Sequence, residues 1–150
     1  MNEISIRVVG IPAAQGSKTL TRYGAMMESS KKVKPWRKNV EKAALECYDS
    51  GAINFPVKVE IEFMFPRPIS HYRTGQFAHL LKDSAPKHCI SRINGDIDKL
   101  SRSTLDGLSV SAGGSVLEDD CLAVELCARK RYVKKDELPG AYIAISSINL

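Results

Sequence analysis

The stretch "PVKVEIEFMFP", Pro56 to Pro66, alternates without a break. Val57, Val59, Ile61, Phe63 and Phe65 fall on one side; Lys58, Glu60 and Glu62 fall on the other. Period two with one apolar face predicts a strand buried on one side only. Pro66 and Pro68 end it, because proline has no N–H to give to a ladder. Such a strand needs a layer over its apolar face, and the rest of the chain supplies candidates. "ISIRVVG", Ile4 to Gly10, reads as a strand stopped by Gly10 and Pro12. Trp36, Val40, Ala43, Ala44 and Cys47 recur at helical spacing; with Pro35 in the first turn and Gly51 as the stop, they predict a helix over 35–49. Ile97, Leu100, Ser101, Thr104, Leu105 and Leu108 predict a second helix from Asp96–Asp98 to Leu108. "CLAVELCARKRYV" alternates as a strand with Leu122, Val124 and Leu126 inward, Pro139–Gly140 is a turn, and "AYIAISSI" is a last strand. The order β–(β)–α–β–loop–α–β–β predicts an α+β fold: a mixed sheet with about two main helices packed on one side. At 150 residues the expectation is a single domain, 1–150.

The remaining segments exclude more than they assign. "PAAQGSKTLTRYG" is a loop with a short strand near Thr19 to Tyr23, and it lacks the spacing of a Walker A loop. It is either a turn or a loop presenting Lys18 and Arg22 to phosphates. Residues 66–95 show no period and hold all three histidines, His71, His79 and His88. An aperiodic stretch of that length inside a compact domain is functional or mobile. No apolar run is long enough for a membrane span. The N-terminus lacks the basic and apolar regions of a secretory signal, so a cytoplasmic location without membrane contact is expected. Cys47, Cys89, Cys121 and Cys127 form no C-x-x-C pair, and reduced, mostly buried thiols are expected. A zinc site from His88, Cys89 and later cysteines has no supporting spacing.

Charge raises the functional question. The formal net charge is +5, concentrated in "KKVKPWRK" (Lys31 to Lys38) and "RKRYVKK" (Arg129 to Lys135). Such clusters bind nucleic acid or are solvated faces, and alone they do not decide. Yet "NGDIDKLSRSTLDGL", Asn94 to Leu108, and "EDD", Glu118 to Asp120, gather carboxylates. On a helix, Asp96 and Asp98 would point about 200° apart. They converge only if Asp96 is in extended chain and Asp98 starts the helix. Asp119 and Asp120 precede a strand, and a strand end beside a helix N-terminus can bring three carboxylates together. Hard divalent cations need such oxygen clusters, and Mg²⁺ typically takes one to a few carboxylates plus water and a phosphate oxygen. The plain alternative is an N-cap at Asp96 or Asp98, an Asp106–Arg102 pair at i, i+4, and a solvated acidic turn. Trp36 reads as core rather than as a base-stacking platform.

"DIDKLSRSTLDGL" followed by "LEDDCLAVEL" resembles the signature of the RusA family of Holliday-junction resolvases, D-x-D-[N/K]-L-x-[K/R]-x-x-x-D-[A/G]-L and then D-D-x-x-V. "FPRPISHYRTG", "APKH", "GIPAAQGSK" and "KPWRKNV" are similar to its other segments, so the resemblance spans nearly the whole chain. It implies a RusA-like fold and a homodimeric, Mg²⁺-dependent endonuclease, with Mn²⁺ as a substitute ion, of phage or prophage origin. The substrate would be four-way DNA, cut in pairs during recombination and repair, with no small-molecule cofactor. Asp96 and Asp98 match the paired catalytic and metal-binding aspartates, Asp120 the third, and Asp119 its neighbour. Arg102 stands where many members have a catalytic lysine. Its guanidinium stays charged and cannot be a general base, so its expected role is to orient phosphate or balance transition-state charge. Lys99 replaces a common asparagine. Lys18, Lys31, Lys32, Lys34, Arg37, Arg67, His71, Arg73 and Lys99 are candidate DNA contacts; for His71 a structural hydrogen bond within its own loop stands as the equal alternative. The competing functions are cleavage of flap or other branched DNA, and junction binding without catalysis.

Overall fold

Strand β4, Val57–Phe65, is the axis of the fold. In the computed structural model, which describes residues 2–16, 18–20, 26–28 and 31–148, it is hydrogen-bonded on both sides. Strand β6, Gly140–Ser147, runs antiparallel to it, and strand β5, Ala123–Tyr132, runs parallel. Strand β1, Ile4–Val9, adds antiparallel to β6, giving the order β1-β6-β4-β5. Two three-residue strands, β2 (Lys18–Leu20) and β3 (Met26–Glu28), form a separate hairpin.

Every predicted inward residue of β4 is buried, and Ile6, Val8, Ile143 and Ile145 extend the same apolar face. Helices α1 (Val33–Cys47) and α2 (Ile97–Leu108) cover that face and pack on each other. Trp36, Val40 and Ala44 come down from α1, Leu100, Thr104 and Leu108 from α2. The Trp36 indole N–H donates to Thr104 Oγ1 at 3.1 Å, so its polar edge is satisfied inside the core. Gly107 lets the helices close: a Cβ there would stand 2.9 Å from Val40 Cβ. The opposite face of the sheet, with Glu60, Arg129 and Tyr142, is left to solvent. The fold is the expected α+β arrangement, a four-stranded mixed sheet with two helices on one side. Among the described residues no helix is long and apolar enough to cross a membrane.

Four details differ from the sequence reading. Helix α1 begins and ends two residues before 35–49, because Tyr48 is already extended while its N–H still closes on Ala44 O at 2.9 Å. Cys47 therefore sits at the exposed last turn. On β5 the inward set is displaced. Val57 pairs with Ala123 but Lys58 pairs with Glu125, so a bulge leaves Val124 out, 59% exposed. Leu126 stands beside Val59 yet is 45% exposed, since β5 is the sheet edge and the helix layer does not cover it there. Leu122 belongs to a 3₁₀ turn before the strand. Finally, all four cysteines are free as expected, but only Cys89 is buried. Residues 66–95 hold three short 3₁₀ turns and one isolated Tyr72–Leu81 bridge, consistent with the missing period.

Candidate functional site

The entry to α2 is built from a glycine. Gly95 has φ of +89°, a conformation an L side chain rarely adopts, and a Cβ there would stand 2.5 Å from Ala14 Cβ. This turn delivers Asp96 in extended geometry, φ −77° and ψ 144°, with Asp98 in the first helical turn. That is the backbone arrangement needed for two aspartates at i, i+2 to leave opposite-facing positions. Asp96 occupies the N-cap position but makes no capping hydrogen bond. Its carboxylate is exposed and lies 3.6 Å from Lys99 Nζ. Asp98 is exposed too, at a helix end whose dipole favours negative charge.

Neighbouring chain holds this entry in place. Lys130 Nζ on β5 donates to Gly95 O at 2.8 Å. Gln15 N donates to Lys99 O at 3.1 Å, and Ser103 Oγ donates to Ala13 O at 2.6 Å. The N-terminal loop is thus clasped to α2 beside the aspartates.

The second acidic segment lies at the start of β5, and α2 touches it. Asp119 accepts from Cys121 N at 2.9 Å and caps the turn Asp120–Leu122. That backbone bond, followed by hydrogen bonds from Asp120 and Ser111, lowers the Asp119 pKa. Asp120 is pushed up, first by its hydrogen bond with Asp119, then by burial and by the charges of Asp119 and Asp106. Negative charge is crowded here, and among the described residues no side-chain cation answers it. Among the described residues, no three His, Cys, Asp or Glu side chains stand close enough to hold a metal ion by themselves. Asp96, Asp98 and the Asp119–Asp120 pair are set around one helix rather than closed into a cage. The donor set nevertheless suits Mg²⁺, which needs hard oxygen ligands and completes its shell with water and phosphate oxygen.

The predicted cations divide into two groups. Arg102 is exposed on α2, one turn after Asp98. It does not pair with Asp106; among the described residues that aspartate pairs with Arg37 of α1 at 3.2 Å. Arg37 also donates to Gln15 Oε1 at 2.6 Å. Lys31, Lys32 and Lys34 are exposed at the start of α1, and Lys34, Arg37 and Lys38 edge a recess of about 180 Å³ against Asp106 and Gly107. Lys18 lies in β2, and its side chain, like Arg22, is outside the described residues. Arg67 is engaged in the protein: it donates to Pro86 O at 2.7 Å and stacks 4.4 Å from the Tyr132 ring centre. His71 Nδ1 lies 3.4 Å from Arg67, and its ring meets Tyr132 edge-on, which is the structural alternative raised for it. Arg73 bonds Leu81 O and Asp83 within the same loop.

The run "RKRYVKK" is not one basic surface. Arg129 and Arg131 face the open side of the sheet and pair with Glu62, Arg131 also with Glu137 at 2.6 Å. Lys130 points the other way, to Gly95. Sequence reading missed Gln15, Lys130 and the Arg37–Asp106 pair. Each joins positions far apart in the chain, and no local pattern announces them.

A one-sided α+β scaffold with exposed carboxylates at a helix entry and lysines on the adjoining helix carries the kinds of group that a DNA-cleaving hydrolase uses. Residues 10–146 match the family model described as Endodeoxyribonuclease RusA. The chain belongs to that family: it is an endodeoxyribonuclease of the Holliday-junction resolvase type, acting in DNA recombination and repair. No curated protein matches the chain significantly.

Proposed function

We propose that residues 1–150 form one Mg²⁺-dependent nuclease domain, active as a homodimer in the cytoplasm, that cuts four-way DNA junctions in pairs. Asp96, Asp98 and Asp120, with Asp119 beside them, would hold Mg²⁺, and Mn²⁺ would substitute. The observation that carries this reading is the uncapped Asp96: its carboxylate makes no capping hydrogen bond and stays exposed at the mouth of α2, 3.6 Å from Lys99 Nζ, where a plain N-cap would have used it. When bound, the ion supplies Lewis-acid activation of water and of the scissile phosphate. Arg102, one turn along α2, orients that phosphate and offsets charge developing on it. Lys31, Lys32 and Lys34 hold flanking backbone, and Arg37 fixes α1 against α2. The dimer follows from symmetry: two cuts related by the two-fold of a junction need two sites, and each chain carries one.

The test is incubation with labelled four-way junction, flap and linear duplex DNA, with Mg²⁺ or with EDTA. Symmetric paired cuts in the junction alone, lost with EDTA, are expected. Preferential flap cleavage would replace the junction as substrate, and binding without cutting would end the catalytic reading.

A further inference from the structure

Strand β5 is the edge of the sheet, ten residues long and, among the described residues, bonded on one side only, to β4. Exposed edges are templates for pairing with another chain. This one carries Val124 and Leu126 at 59% and 45% exposure. Its charges are arranged about a centre: Glu125 and Arg129 stand two residues either side of Cys127 on the open face, and all three are exposed. We propose that a second copy of this chain pairs antiparallel with β5 about a two-fold axis at Cys127. The proposal rests on the dimer reading above and adds where the two chains meet.

Geometry selects this register. A two-fold axis perpendicular to the sheet pairs residues of like face and leaves both helix layers on the same side. An axis lying in the sheet plane would turn one helix layer over. Among perpendicular axes, one at Cys127 sets Glu125 opposite Arg129 twice and Leu126 opposite Ala128 twice. Centred on Leu126, the pairing leaves Glu125 opposite Cys127. Centred on Ala128, it sets Leu126 against Lys130 and Glu125 against Arg131, which Glu62 at 2.9 Å and Glu137 at 2.6 Å hold more closely than Glu62 holds Arg129 at 3.7 Å or Lys58 holds Glu125 at 3.9 Å. The bulge at Val124 lies outside the regular segment 125–129. Each α2 touches its own β5, so the two aspartate entries would flank one joint surface, as paired cutting requires.

Two measurements test this. Glu125→Arg and Arg129→Glu each place like charges opposite themselves, so each variant alone should dimerise at least ten-fold more weakly in sedimentation. Mixed together they restore both opposite-charge pairs, and a heterodimer should form with near wild-type affinity. In a chain carrying Cys47→Ser and Cys121→Ser, a short bis-maleimide should link two chains through Cys127, since directly opposed strand residues stand about 5 Å apart. Circular dichroism of each variant separates misfolding from lost pairing, and the Cys127 linkage requires no charge variant. A dimer that neither links through Cys127 nor responds to the charge changes would overturn this interface and leave the dimer standing. A monomer on and off the junction would overturn both.

Discussion

Arg37 on α1 reaches Asp106 on α2 across 3.2 Å, and the same guanidinium holds Gln15 of the N-terminal loop. One side chain therefore joins the three segments that surround the aspartate entry. Arg37→Ala should lower stability by about 1–2 kcal/mol, since a charge-assisted bond is lost and a half-buried carboxylate is left without its partner. A double-mutant cycle with Asp106→Ala, read by urea unfolding, should give a coupling of about 1 kcal/mol. Additive losses would mean that the two side chains act independently.

Asp96→Asn, Asp98→Asn and Asp120→Asn should each remove cleavage while keeping or tightening junction binding, because each takes negative charge away from phosphate. Gel-shift and cleavage assays on the same preparations separate the two effects. Wild-type cutting by any one of them would strike that residue from the metal site.

Arg102→Ala should lose at least ten-fold in rate and Arg102→Lys should keep a substantial part, as a point charge replaces some of the fork contact. Melting temperature should change little in either, because Arg102 is exposed. An unchanged rate in the alanine variant would leave Arg102 without a part in the reaction.

Lys130→Met should slow cutting by several-fold with little loss of junction affinity, through release of the Gly95 carbonyl that it holds at 2.8 Å. Hydrogen exchange at residues 95–99 should rise. Unchanged exchange there, or a loss of affinity equal to the loss of rate, would point away from positioning and toward direct DNA contact.

Glu137 gives the fold a pH dependence away from the site. Its pKa is held at about 2, against an ordinary value of 4.5, chiefly by hydrogen bonds from Arg131. A depressed carboxylate contributes stability that is complete above pH 4.5 and is lost as pH falls toward 2. Its size is on the order of 2 kcal/mol. Denaturation at pH 6 and pH 3 should therefore show the gap between wild type and Glu137→Gln narrowing in acid. A gap that does not change would place the Arg131–Glu137 pair outside the acid response.

Local pattern determined a good deal. The alternation of β4 set its buried face residue by residue, and helical spacing found both helices, since periodicity records which side of an element meets the core. Spacing put the start of α2 near Asp96 to Asp98, and the condition for the two aspartates to converge, Asp96 extended and Asp98 in the first helical turn, is met by the backbone. Tertiary structure decided what depends on neighbours. β5 has the same alternating pattern as β4 but carries a bulge at Val124 and lies at the edge where Leu126 sits, so both stay exposed where Val59 and Ile61 are buried. Asp106 had a partner available at i−4, yet it took Arg37 from the other helix, because α1 lies across α2 at Gly107. A dense basic run in the sequence became cations on two faces of a strand, two of them spent on Glu62 and Glu137. Residue types and their spacing fixed which groups could do the chemistry; packing fixed which of them remain free to do it.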